Sequence, residues 1–262
     1  MATVAREGAE LAYTVSGREG GPIAVHAHGA MSSRAGEERH GLFVWEPVAE
    51  VARVVRYDAR GHGKSTGRAV PDDYVFTNLA DDLLAVIDHV GAGPVTGMGA
   101  SMGTGTVLHA ALKRPEAFER LVLIIPPTAW ETRKAVAAFY REAAEALETK
   151  GPKGFAELMA GDEPPAIFAQ GPAYPLPDVS WDLLPSVMRG LAASDLPAPA
   201  ELPALTHPAL ILAWETDDGH PLSTAEALAD LLPAATLHVS ATVADIRTWS
   251  ARISAFLTAR SQ

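Results

Sequence analysis

Five consecutive residues, Gly99-Ala100-Ser101-Met102-Gly103, carry the strongest chemical signal in the 262-residue chain. An apolar run at 95–100 precedes the serine, and a helical run at 107–112 follows it. A serine forced onto so sharp a strand-to-helix turn exposes its hydroxyl at a sheet edge. The positive end of the following helix lies beneath it, which suits attack on an acyl carbon and the negative charge that then develops. Gly99 and Gly103 are the small neighbours that such a turn requires. An ordinary Gly-rich turn is the competing reading, but the pentapeptide stands in the strand-turn-helix context that nucleophilic chemistry needs.

Other candidate motifs fall away on inspection of their residues. Gly61-His62-Gly63-Lys64-Ser65 ends like a phosphate-binding loop, yet Asp58 occupies the position of that loop's first glycine, and no helix is expected after Ser65. Gly97-Met98-Gly99 puts Met102 where a dinucleotide fingerprint needs its third glycine, so no nicotinamide or flavin cofactor is expected. His26 and His28 share a strand face as a metal pair would, but Gly29-Ala30 follow instead of further ligands, and no metal is expected. His40, His89, His109 and His207 are isolated and are read as structural, and His62 as part of the turn after Asp58. The chain has no cysteine, which removes disulfides, thiolate metal sites and a cysteine nucleophile.

The elements that must position the serine are legible from hydrophobic patterning. Short β-branched runs at 11–15, 23–27, 51–57, 95–100, 121–125, 210–214 and 236–239 read as strands. Amphipathic runs at 78–90, 222–232 (with Ser223 as its N-cap) and 246–257 read as helices between or after them. The fold class is therefore α/β, a mostly parallel twisted sheet covered by helices on both faces. Between 126 and 208 the alternation fails, giving way to helical periodicity from Thr132 and to a Pro- and Gly-rich stretch at 161–185. The expected organisation is a core of 1–127 and 205–262 with a helical cap at 128–204 over the carboxyl edge of the sheet, where open α/β sheets bind ligands.

In four segments taken in order the chain resembles the α/β-hydrolase superfamily, in particular small esterases and lactonases related to 3-oxoadipate enol-lactonases. The segments are His28-Gly29 after a strand, Tyr57 through Ser65 after another, the serine elbow, and Pro115-Glu116 ahead of Leu121-Val122-Leu123. The resemblance implies Ser101 as nucleophile and an oxyanion hole from the backbone N–H groups of Ala30 and Met102. It also implies a catalytic acid in Glu215-Thr216-Asp217-Asp218-Gly219-His220-Pro221. Asp217 has the spacing seen in relatives, and Asp218 is the alternative. The family's histidine follows the last strand, but here that stretch reads His238-Val239-Ser240-Ala241-Thr242-Val243-Ala244-Asp245-Ile246, and the loop itself holds none.

Three readings of the base follow. His220, in the acid loop, could turn its imidazole to Ser101 with Asp217 or Asp218 orienting it. His238, inside a strand, is poorly placed to reach the sheet edge. Without either, the protein would be a repurposed relative: a lyase, a cyclase, another non-hydrolytic catalyst, or a ligand-binding protein. The leading expectation is a serine hydrolase acting on a small carboxylic ester or lactone through an acyl-Ser101 intermediate.

The cap aromatics Trp130, Phe139, Tyr140, Phe155, Phe168, Tyr174 and Trp181 are candidates for an apolar pocket, Trp130 and Tyr140 foremost, although each could equally pack the cap onto the sheet. Trp45 matches a position near the pocket floor in relatives, and a place in the core is the equal alternative. The expected partner is a small molecule. A formal net charge of −11 argues against nucleic acid, since a polyphosphate would be repelled. No apolar run has membrane-spanning length, and Met1 to Glu7 lacks the pattern of a leader, so a membrane partner is not expected and the location is expected to be cytoplasmic.

Overall fold

Strand sequences that are apolar at nearly every position belong in the middle of a sheet covered on both faces, and that is where this chain puts them. The computed structural model describes residues 2–91, 93–160, 166 and 176–259. Its strands are β1 (Ala2–Arg6), β2 (Ala9–Gly17), β3 (Ile23–Ala27), β4 (Arg53–Tyr57), β5 (Val95–Ala100), β6 (Phe118–Ile124), β7 (Ala209–Trp214) and β8 (Ala235–Ser240). They form one sheet in the order β1-β2-β4-β3-β5-β6-β7-β8, in which β2 runs antiparallel to both its neighbours, β1 and β4, and every other pairing is parallel. β7 is buried along its whole length, while β1 and β2 are exposed at many positions, as suits the sheet's edge. β1, short and half exposed, has no apolar run of its own and is the strand that patterning misses; its register is set by the hairpin with β2.

The helices are α1 (Arg34–His40), α2 (Glu46–Val51), α3 (Phe76–His89), α4 (Met102–Lys113), α5 (Arg133–Lys150), α6 (Pro152–Met159), α7 (Leu184–Ala192), α8 (Leu222–Leu231), α9 (Val243–Ile246) and α10 (Trp249–Thr258). Side-chain alternation along the strands divides the core in two. Val25, Ala27, Leu121, Leu123 and Ile211 pack with residues of α3, α4, α7 and α8. Ala24, Met98, Val122, Leu210, Leu212 and Trp214 pack with α2, α9 and α10. Helices α5, α6 and α7 all lie between β6 and β7, within the stretch where the strand pattern fails. No helix of the described residues is long and apolar enough to cross a membrane.

Three local expectations are corrected. Val51 closes α2 instead of opening β4, because Pro47 and the apolar Val48 and Val51 continue a helical turn onto the sheet. The terminal helix is broken after Ile246, with Thr242 capping the short α9 through the Asp245 N–H and α10 starting afresh at Trp249. Ser223 does not cap α8, since the helix already begins at Leu222 behind Pro221, whose fixed φ sets the entry.

The turn after β4 braces the turn after β3. The Asp58 carboxylate accepts from the backbone N–H and the guanidinium of Arg34 at 2.9–3.0 Å and from the Lys64 N–H at 3.0 Å. These contacts outweigh burial and hold its carboxyl below the usual range. The backbone after Ser65 stays non-helical until Pro71, so the Gly61 to Ser65 stretch is a structural turn.

Two buried histidines complete the brace. His28 Nδ1 bonds Gly29 O at 2.7 Å, leaving Nε2 to accept the Ala59 N–H at 2.9 Å. His62 Nδ1 bonds Arg60 O at 2.8 Å and Nε2 accepts the Met31 N–H at 3.3 Å. Each ring must be neutral to accept, and burial pushes His28 below the usual imidazole range and His62 down to about 3. The unfolded chain therefore binds more protons than the folded one below the ordinary imidazole pKa. Stability should fall as pH drops from about 6.5, by about 1.4 kcal/mol per pH unit for each such imidazole. Urea titrations between pH 7 and 4 check this, and His62→Gln should flatten the slope.

Candidate functional site

β5 ends at Ala100 and α4 begins at Met102, so Ser101 alone makes the connection, at φ 51 and ψ −112. That conformation is costly for a residue with a side chain and survives because its surroundings fix it. The Ser101 N–H donates to Ile124 O at 2.9 Å, and its carbonyl accepts from the Thr104 N–H at 2.8 Å. The Thr104 hydroxyl reaches Gly99 O and Ile124 O from below. A Cβ on Gly99 would sit 2.1 Å from Gly103 O, and one on Gly103 would sit 2.0 Å from Ala27 O. The elbow is thus closed so tightly that only hydrogen fits at both positions.

The loop 215–221 after β7 is shaped by one carboxylate. Asp217 Oδ1 accepts the Gly219 N–H at 2.9 Å, and Asp217 O accepts the His220 N–H at 3.1 Å. Asp217 Oδ2 accepts from the Trp214 indole at 2.9 Å and lies 2.7 Å from His220 Nδ1. His220 Nε2 in turn lies 2.8 Å from Ser101 Oγ. Burial disfavours the charge on Asp217, but His220, Trp214 and the Gly219 amide outweigh it, keeping the carboxyl below its usual range. An ionised Asp217 demands the proton on Nδ1, which leaves Nε2 as acceptor for the serine hydroxyl. Asp218 is exposed and takes no part. Thr216, at φ 66, gives the loop its bend.

A cavity of about 310 Å³ opens beside Ser101. Gly29, Ala30 and Met31 border it from the β3 turn, and Phe155, Met159 and Pro177 from the segment between β6 and β7. Leu42, Phe43, Trp45, Trp214, Ile246 and Trp249 make an apolar wall that descends along the α2 and α10 face of the sheet. Met102, at the first position of α4, has an N–H with no carbonyl available within the helix. Met31, Ser101 and Ile125, all lining the cavity, have positive φ, so backbone strain concentrates at this site. Asp178 ties the far side to the β3 turn: its N–H donates to Met31 O at 2.7 Å, its carboxylate accepts from Ser33 and Arg39, and its carbonyl accepts the Gly63 N–H.

A family model described as alpha/beta hydrolase fold matches residues 27–228. The chain belongs to the α/β-hydrolase family. It is 28% identical over 232 residues to 3-oxoadipate enol-lactonase 1 of Acinetobacter baylyi, covering 81% of this chain and 77% of that protein. It is 31% identical over 125 residues to a bifunctional esterase/perhydrolase of Acinetobacter calcoaceticus, covering 47% of this chain. The chain spans only 39–44% of the length of that protein and of several other curated relatives it matches. Among solved structures, a hydrolase from Pseudomonas aeruginosa superposes with a TM-score of 0.81 at 23% identity over 98% of each chain. An alpha/beta hydrolase from Sphaerobacter thermophilus superposes at 0.72 with 26% identity, over 98% of this chain and 100% of that one.

The structure of this α/β-hydrolase brings Ser101, Asp217 and His220 into one hydrogen-bonded chain, with Ala30 and Trp45 at the same cavity. Trp130 and Tyr140 are not among its lining residues. The Trp130 N–H donates to Asp195 and its indole to Pro197 O, which turns the ring toward the 195–197 segment. Tyr140 lies against the Arg133 guanidinium, itself bonded to Leu191 O and Ser194 O, so it joins α5 to α7. Of the other aromatics, Phe155 lines the cavity, and Phe168 and Tyr174 fall outside the described residues. His238 pairs with Asp245 at 3.0 Å and is remote in role from Ser101. No group of three or more potential metal ligands occurs among the described residues.

Leu42, Phe43, Ile246 and Trp249 had no local signal that separates a cavity wall from ordinary core. The elbow geometry makes a direct prediction. Gly103→Ala should destabilise the fold by about 3 kcal/mol or more in urea unfolding, since the new methyl meets backbone that cannot yield. Gly93→Ala, with nothing within 4 Å of the added carbon, is the matched control; Gly105→Ala is not, because Phe76 crowds that site too.

Proposed function

We propose that this α/β-hydrolase cleaves a small carboxylic ester or lactone through an acyl-Ser101 intermediate. The observation that carries the reading is the 2.8 Å approach of His220 Nε2 to Ser101 Oγ with Asp217 behind the ring at 2.7 Å. As Oγ attacks the carbonyl carbon, His220 takes its proton and Asp217 stabilises the imidazolium. The N–H groups of Met102 and Ala30 receive the oxyanion, a contribution of about 3–4 kcal/mol per donor. His220 then gives its proton to the departing alkoxide, and the acyl-serine remains. Water enters, loses a proton to His220 and attacks the acyl carbon, and the carboxylic acid leaves as Oγ regains a proton.

The relatives named esterase and enol-lactonase support this class of reaction. The mostly apolar cavity supports a small, uncharged acyl or alcohol portion. Residues 128–204 act in this reading as a cap, since Phe155, Met159 and Pro177 border the cavity opposite the sheet. The non-hydrolytic and ligand-binding readings drew on the empty position after β8. With an imidazole hydrogen-bonded to Ser101 from another loop, they lose the observation that motivated them.

Two sets of variants test the reading. On short p-nitrophenyl esters, Ser101→Ala and His220→Gln should each lower kcat by about 10⁶-fold and Asp217→Asn by about 10⁴-fold. His238→Gln should leave kcat within twofold. A fluorophosphonate probe should label wild type at Ser101 alone. Failure to label a folded protein, or ester turnover that survives Ser101→Ala, overturns the proposal.

A further inference from the structure

Ile125 is held in a conformation that its side chain opposes. It follows β6, its φ is 42°, and Pro126 comes next. A β-branched residue is rarely left-handed, and a residue ahead of proline is pushed toward extended backbone, so its own shape and its neighbour both disfavour the angle. Glycine would meet no such penalty. Backbone bonds hold the segment in place: the Ile125 N–H donates to Leu212 O on β7 at 2.7 Å, and Ile124 O accepts the Ser101 N–H at 2.9 Å. The isoleucine is half-buried, lines the cavity, and packs against the cluster that holds Trp214, Ile246 and Trp249. It has no atom that the acyl chemistry uses. Strain kept beside a nucleophile points to what the strained residue places there, and Ile125 places an apolar branch.

The order of the strands says which part of a substrate meets that branch. Ser101 ends β5, His220 arrives from the loop after β7, and β6 lies between them. Ala30 is on the other side of Ser101, at the turn after β3. In the acyl-serine reading the carbonyl oxygen turns toward Ala30, and the oxygen that leaves must come within reach of His220 Nε2, which protonates it. That directs the leaving oxygen, and the carbon it carries, over the end of β6. Further out, the carboxylate in the wall is already engaged, with Glu37 held by His26 Nε2 at 2.8 Å and by Arg56 at 3.4 Å.

We propose that Ile125 is a specificity-determining residue: it fills the space beside the carbon that bears the leaving oxygen, so that the enzyme takes esters of primary, unbranched alcohols. The rest of an apolar alcohol then lies against Trp214, Ile246 and Trp249. A second carbon substituent next to the leaving oxygen overlaps the isoleucine, and a wall packed on both sides yields poorly to added volume. The proposal rests on the hydrolase reading above and narrows its substrate class.

The test uses three esters of equal carbon count: n-propyl butyrate, isopropyl butyrate, branched on the alcohol, and n-propyl isobutyrate, branched on the acid. Acid release gives kcat/KM for each. Wild type should favour n-propyl over isopropyl butyrate by at least about tenfold. Ile125→Ala should shrink that preference at least about fivefold and Ile125→Val should shrink it in part, while the preference for butyrate over isobutyrate stays within about twofold of wild type. In urea unfolding Ile125→Gly should outlast Ile125→Ala despite its smaller side chain, because only glycine relaxes at this φ. A wild-type preference near one, an alcohol preference unmoved in both Ile125→Ala and Ile125→Val, a change confined to the acid-branched ester, or an Ile125→Gly protein less stable than Ile125→Ala overturns the role of Ile125. Turnover of n-propyl butyrate in any of those cases leaves the acyl-serine reading standing. Absence of turnover on every ester by the folded wild type instead overturns the hydrolase reading itself.

Discussion

The side chain of Asp217 is what lets the rest of the site exist. By accepting the Gly219 amide with one oxygen and the Trp214 indole with the other, it winds the loop after β7 into a turn that delivers His220, three residues on, to Ser101. The same carboxylate then fixes the tautomer of the ring it has delivered. Geometry and electronics therefore come from one group. Asp217 and His220 share a loop, and beyond β8 Ile246 and Trp249 serve as apolar wall. Trp249 stacks on Trp214 with centroids 5.7 Å apart, so the wall also steadies the strand end from which the loop departs.

A second layer of backbone bonding holds the opposite rim. The turns after β3 and β4 are sewn together by His28, His62, Asp58 and Arg34, all buried, and none of these side chains needs to meet a substrate. Their work is to satisfy amide groups that two tight turns cannot pair for themselves. The amide of Met31 is one of them, next in sequence to Ala30, so the orientation of the peptide units facing Ser101 depends on neutral imidazoles packed out of reach of water.

Much of this was legible in the sequence, for physical reasons that differ by element. Strands β3, β5 and β7 declare themselves because both their faces are covered and every position but His26 is apolar or small. The elbow is legible because its steric demands fall on two glycines at fixed spacing. His220 was legible only as one of two candidate bases, since whether a loop histidine turns inward is decided by hydrogen bonds to Asp217 and Trp214 that no local pattern encodes. Trp130 and Tyr140 show the opposite failure. Aromatic content marks a region that buries apolar surface, but the partner it buries against, here α7 and the 195–197 segment, is set by tertiary packing. The His26 and Glu37 pair was invisible because the two lie on different elements, and His26 reads as a metal-like neighbour of His28 until their separate partners are seen.

Asp178 links regions usually thought of as independent. Its amide, carbonyl and carboxylate are all spent on Met31, Gly63, Ser33 and Arg39, so the chain returning from beyond α6 is stitched to the very turn that borders the cavity at Ser101. A segment fastened in that way cannot shift at this point without tugging on the backbone beside Ser101. Under the proposed reaction, a change of sequence at Asp178 would be felt at the mouth of the cavity even though its side chain touches nothing that enters there.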